Sequence, residues 1–82
     1  MKVIKFYADW CGPCKSYAPV FDKVVKELNV EYENIDVDKD TTGLAAKYKV
    51  RSIPLTVFIN EDGTSTKEVG MLSEEKLKKL IK

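Results

Sequence analysis

With 82 residues, 44% of them hydrophobic, the chain is too apolar to remain disordered and is short enough to form one domain over residues 1–82. Fourteen basic and thirteen acidic residues leave a net charge of +1 and are spread along the chain, which excludes a nucleic-acid stripe and a polybasic membrane patch. The absence of histidine removes the Cys–His nucleophile pair, the Ser–His–Asp triad and every His-containing zinc site.

Residues 3–7 form a short apolar run that predicts a buried strand, interrupted by Lys5. A charge at that place also argues against a secretory leader, and no apolar run reaches the length of a membrane span, so the cytoplasm is the expected compartment. From Pro13 to about Leu28 the pattern turns helical. Tyr17, Phe21, Val24, Val25 and Leu28 recur at steps of three and four and make one apolar face. Pro13 suits the first turn, whereas Pro19 lies inside the run and is expected to kink the helix without ending it. "VEYENIDVD", residues 30–38, reads as a second strand, and "DTTGLAAKYKV", residues 40–50, as a short helix capped by an Asp or Thr. "IPLTVFI", residues 53–59, carries the clearest strand signal, "NEDG" a turn, and "TSTKEVG", residues 64–70, a polar outer strand. The last helix starts at a capping Ser73, has glutamates in its first turn and lysines at its end, and buries Leu77, Leu80 and Ile81. The order β-α-β-α-β-β-α implies an α/β fold: a mixed sheet covered by helices.

Both cysteines of the chain sit in "ADWCGPCK", residues 8–15. A thiol attacks as its thiolate, and the open N-terminus of a helix supplies unpaired N–H groups and the positive end of the dipole. With Cys11 at the helix mouth, Cys14 falls in the first turn, close enough to bridge. Such a pair can open a partner's disulfide in two steps, one thiol attacking and the other resolving. Gly12 lets the chain turn and approach a substrate closely, and Pro13 stiffens the loop and starts the helix. Two competing uses of the thiols are half of a zinc site, which lacks two further ligands, and a purely structural disulfide, whose very small loop limits its entropic contribution.

"ADWCGPCK" resembles the active-site signature of the thioredoxins. "NIDVDKD", "YKVRSIPLTVF", "NEDG" and "EVGMLSEEKL" are similar to later segments of that family, in the same order, so the resemblance covers essentially the whole chain. It implies a minimal thioredoxin-like fold, a central four-stranded mixed sheet with three flanking helices. It also implies a protein-disulfide reductase cycling between a dithiol and a Cys11–Cys14 disulfide, with no bound cofactor and no metal. Cys11 would be the exposed nucleophile and Cys14 the buried resolving thiol. Trp10 would shield the pair, Pro54 would be a cis-proline facing the disulfide, and the backbone at Ile53 would pair with an extended substrate segment. Gly70, with Gly12 and Pro13, would keep the surrounding surface flat. The implied partners are disulfide-containing target proteins and a thioredoxin reductase as electron donor, with no nucleic acid and no membrane, the chain acting as a monomer.

Three departures from the family pattern stand out. The usual opening strand and helix are missing, which is expected to leave the strand at residues 30–37 on a sheet edge, where Glu31 and Glu33 oppose edge-to-edge association. Lys5 occupies the place of a buried aspartate thought to move protons for the resolving thiol, and Asn34 that of the lysine paired with it. A cation there either favours the Cys14 thiolate directly or merely buries its stem while its ammonium reaches water. Leu55 follows the proline where threonine is more common, altering the floor beside the disulfide. Two alternative functions have the same sequence features: a glutaredoxin-like, glutathione-linked oxidoreductase, and a thioredoxin-like binding subunit whose cysteines are incidental.

Overall fold

In the computed structural model, which describes residues 1–81, the chain runs β1 (Lys2–Tyr7), α1 (Gly12–Glu27), β2 (Glu31–Asp36), α2 (Leu44–Lys47), β3 (Leu55–Ile59), β4 (Ser65–Val69) and α3 (Glu74–Ile81). The strands lie in the order β2-β1-β3-β4. Parallel pairing of β1 with β2 needs a crossover, which α1 supplies, whereas β3 and β4 are antiparallel and joined by a tight turn. Gly63 closes that turn at φ 90°, where a side chain would be strained. The minimal thioredoxin-like architecture expected from the sequence is the one observed. β2 forms an edge, and Lys2 on its neighbour β1 meets Glu33 at 3.1 Å and Glu31 at 3.8 Å, so charge lines this border as expected.

Strand alternation divides the core into two layers. On one face Val3 and Phe58 pack against Tyr17, Phe21, Val24 and Val25 of α1 and Leu77 of α3. On the other, Ile4, Phe6, Leu55 and Val57 pack against Leu44 and Ala45 of α2. Leu55 is therefore core, holding the sheet to α2 rather than simply flooring the disulfide.

The helix starts differ from one another, while α1 and α2 close alike. α1 runs through Pro19 without ending. Its C-terminus is closed by Asn29 at φ 53°, whose N–H donates to Lys26 while the Val30 N–H donates to Val25. α2 ends in the same way at Lys49, also at φ 53°, with Val50 donating to Ala45. This closure limits α2 to four residues, shorter than the helix expected over 40–50. Its N-cap position is Gly43, without a side chain, and Asp40 and Thr42 do the capping from farther back. The Ala45 N–H donates to Asp40 at 3.0 Å and the Leu44 N–H to Thr42 at 3.1 Å. α3 is capped as expected, the Lys76 N–H donating to the Ser73 hydroxyl. Its lysines are more than a solvated face: Lys78 meets Glu27 of α1 and Glu74 at 3.2 Å each.

Candidate active site

The chain leaves β1 at Tyr7 and enters α1 within five residues, and this short turn places both thiols. The Cys11 N–H donates to the Ala8 carbonyl at 3.1 Å, which fixes Cys11 in an extended conformation (φ −88°, ψ 108°) as the N-cap of α1. Its sulfur then takes the role that a hydroxyl plays in an ordinary cap: the Cys14 N–H donates to Cys11 Sγ at 3.2 Å. An N–H group otherwise orphaned at the helix start thus points at the reactive sulfur, along with the positive end of the helix dipole. The two sulfurs are bonded as a disulfide, with Cα atoms 5.2 Å apart, inside the range that bridging requires.

The burial of the pair differs from the expectation of an exposed Cys11. Cys11 is 5% exposed and Cys14 3%. The cover comes from Ala8 together with Tyr7, Val37 and Ile53, and the Ile53 carbonyl oxygen lies 3.8 Å from Cys11 Sγ.

Trp10, expected to shield the pair, directly precedes Cys11. It stands 70% exposed, its indole N–H donating to Asp38 Oδ2 at 2.7 Å. With Val37, Ile53 and the α2 residues Ala45 and Ala46 it lines a hollow of about 340 Å³ beside the pair. Asp38, the partner of the indole, was not singled out in the sequence. It lies 28 residues from Trp10 in a loop without periodicity, and only the return of the chain after β2 brings the two together.

Gly12 was expected to let the chain turn, but it is the first residue of α1, and its backbone makes no demand that only glycine meets. A Cβ there would meet nothing within 4 Å, so its contribution is open space above the disulfide. Pro13 sits in the first turn, as expected. The Ile53–Pro54 peptide bond is cis and Pro54 is fully buried. Gly70 adopts φ 90° and its N–H donates to the Pro54 carbonyl at 2.8 Å, which ties the loop after β4 to the proline turn.

Lys5 is 4% exposed, on the α1 face of β1. Its Nζ lies 5.0 Å from the centre of the Phe21 ring and 5.6 Å from that of Tyr7, and burial lowers its pKa, opposed by the charge of Asp22. Beside it the Tyr17 hydroxyl and Thr56 Oγ1 share a hydrogen bond of 2.9 Å, and burial pushes the Tyr17 pKa up to about 12. Among the described residues no group of three or more potential ligands is placed to hold a metal ion, and no helix is long and apolar enough to cross a membrane.

The Thioredoxin family model matches residues 1–82. A thioredoxin of Mycoplasmoides gallisepticum is 35% identical over 81 residues, covering 98% of this chain and 80% of that protein. A thioredoxin of Borreliella burgdorferi is 38% identical over 82 residues, covering 98% and 69%. Among solved structures, a mutant thioredoxin from Halobacterium salinarum superposes with a TM-score of 0.88 at 36% identity, covering 98% of this chain and 70% of that one.

Proposed function

The chain belongs to the thioredoxin family and is a thiol–disulfide oxidoreductase, and on that premise we propose how its residues divide the work, with Cys11 as nucleophile and Cys14 as resolving thiol. The observation that carries this division is the Cys11 sulfur at the cap of α1, accepting the Cys14 N–H. A negative charge on sulfur 11 meets a donor and a dipole end, so it is the thiolate favoured in the reduced protein.

The reduction then proceeds by two displacements. The Cys11 thiolate attacks one sulfur of a target disulfide. A bond forms between Cys11 and the target, and the second target sulfur leaves with the electron pair and takes a proton from water. The Cys14 thiolate next attacks Cys11 Sγ, closing the intramolecular disulfide and releasing the first target sulfur. Two electrons have passed from the dithiol to the target. A reductase of the thioredoxin-reductase kind returns them, and the cysteines need no bound cofactor.

The target segment lies extended along the Ile53–Pro54 turn. Hydrogen bonds among the described residues leave the Ile53 N–H unused, and its carbonyl borders Cys11. Trp10, held by Asp38, forms one rim of this surface, and Gly12 and Gly70 leave it free of side chains. The chain works in the cytoplasm as a monomeric single domain.

Insulin reduction, driven separately by NADPH with a thioredoxin reductase and by glutathione, tests the assignment. Turnover is expected with the reductase; turnover with glutathione alone identifies the glutathione-linked alternative. Cys11→Ser abolishes turnover, and Cys14→Ser accumulates a mixed disulfide at Cys11. A variant lacking both thiols that keeps full biological activity identifies a binding subunit instead.

A further inference from the structure

Among the described residues two polar or charged residues are buried, Lys5 and Thr56, and they face each other directly across β1 and β3. Thr56 is satisfied by Tyr17. Lys5 has neither a hydrogen bond nor an ion pair among the described residues, although no side-chain nitrogen or oxygen sealed from solvent lacks a partner there. Its ammonium therefore opens into a cavity of about 290 Å³ between β1 and α1. Lys5 and Cys14 both line that cavity, with Ala18 and Asn34.

A lysine at a core position with no ion pair, only the more distant charge of Asp22, destabilises a fold, and a methionine of similar size fills the same space without that cost. The aromatic faces of Phe21 and Tyr7 support the charge but do not neutralise it. The group across the cavity that can become an anion at a chosen moment is Cys14. We propose that the Lys5 ammonium is the counter-charge of the Cys14 thiolate in the reduced protein, and so a positioning residue for the resolving step. This rests on the assignment of Cys14 as resolving thiol.

Lys5 neither gives nor takes a proton in that role. The Cys14 thiol loses its proton to cavity water, and its sulfur attacks Cys11 Sγ. The Cys14–Cys11 bond forms, the Cys11–target bond breaks, and the target sulfur leaves with the electron pair. The charged and titratable groups facing Lys5 are Cys14, Lys15, Tyr17 and Asp22 of α1, Tyr7 of β1, and Asp9 in the turn that follows. β2 and β3 present the neutral Asn34 and Thr56. Lys15 adds to the field of Lys5, and Asp9 and Asp22 oppose it. Asp9 is exposed and paired to Lys39, so its opposition is screened.

The test is thiolate absorbance against pH in the Cys11→Ser protein, where Cys14 titrates alone, with and without Lys5→Met. The Cys14 pKa is expected to rise by about one unit or more when the charge is removed. The pH profile of disulfide closure from a preformed mixed disulfide, measured in the protein with both cysteines, should move by the same amount. An unchanged titration overturns the proposal. Should Lys5→Met fail to fold, the reciprocal experiment leaves Lys5 in place. The titration of its ammonium, followed by NMR in the Cys11→Ser protein, should move to lower pH when Cys14→Ala is added. No movement overturns the proposal equally. A Cys14→Ser protein that fails to trap a mixed disulfide instead refutes the resolving role itself, a separate outcome read without touching Lys5.

Discussion

The two faces of the sheet are built to different rules. The face under α1 and α3 is covered by helices of sixteen and eight residues and contains both buried polar residues, Lys5 and Thr56. The opposite face is covered by four residues of α2, and its buried members, Ile4, Phe6, Ile35, Leu55 and Val57, are all apolar. Strand register shows how the polarity is arranged. Asn34, Lys5, Thr56 and Glu68 pair in sequence across all four strands and make one polar row, whose Glu68 end meets Lys76 of α3. The thicker cover thus lies over the less apolar face. Helix α1 spans both jobs, since its first turn holds the disulfide and its second and third hold Tyr17 and Phe21 against the row. The chemistry is anchored to the face that can tolerate a charge, while the other is left as plain packing.

The largest break in that contrast comes from removing the aromatic ring that serves both jobs. Phe21 is fully buried, packs tilted against Tyr17 with ring centres 5.8 Å apart and lies under the Lys5 ammonium. Phe21→Ala should cost about 3–5 kcal/mol in urea unfolding. Tyr17→Phe is milder and more specific: it leaves the Thr56 hydroxyl unpaired in the core and should cost about 1–3 kcal/mol. Adding Thr56→Val removes the other partner and should recover most of the loss. A double variant no better than the single one would mean that the pair matters through shape, not hydrogen bonding.

How much of this was legible in the sequence depended on distance along the chain. The apolar stripe of α1 and the Ser73 cap were legible because periodicity and capping act within one or two turns. The polar role of Tyr17 was not, because a tyrosine on an apolar stripe reads as core and its partner lies 39 residues away. Lys49 gave no sign that it would close α2, since lysine is not a residue that favours a positive φ. The thiol pair was legible from CGPC and the helix that follows, whereas the cis peptide at Pro54 rested on family resemblance alone. For Lys5 the sequence allows two readings, a charge beneath the pair or a stem with its ammonium in water. The structure shows a buried side chain beside a pocket, partly open to solvent, that Cys14 also lines.

Lys5 also gives the next contrast, in the stability of the two redox states. In the oxidised protein no thiolate offsets its charge, so Lys5→Met should stabilise the fold by roughly 1 kcal/mol, and by less in the reduced protein. The dependence on pH has a definite sign. Burial lowers the folded-state pKa of Lys5 below the ordinary 10.5, so between those two values the unfolded chain binds the extra proton and stability of the parent rises with pH. The advantage of methionine should therefore be full below the folded-state pKa and disappear as pH approaches 10.5. Thermal unfolding of both proteins across that range, oxidised and reduced, measures it. An advantage that does not change with pH would trace to packing alone.

The smallest effect is confined to the thinner face. α2 has four residues and a glycine at its N-cap, so its start depends on Asp40, which accepts from the Ala45 and Thr42 N–H groups, and on Thr42, which accepts from Leu44. The Thr42 hydroxyl, which donates to the Asp40 carboxylate, and after it these N–H groups favour the charged form and hold the Asp40 pKa below its ordinary 3.8. For an acid with a depressed folded-state pKa, the stabilisation is present above the unfolded value and is lost as pH falls through the folded one. Acidification below pH 3.8 should accordingly release the start of α2 while α1, whose cap is a sulfur with no acid to protonate, stays closed. Amide exchange reads this residue by residue: protection at Leu44 and Ala45 should fall on the acid side, and protection along Val24 and Val25 should not follow it. Asp40→Asn keeps an accepting oxygen but no charge, so it should remove most of the pH dependence and leave α2 in place at neutral pH. If α1 and α2 lost protection together, the sheet would be covered by one cooperative layer, and the division between its faces would be a matter of composition only.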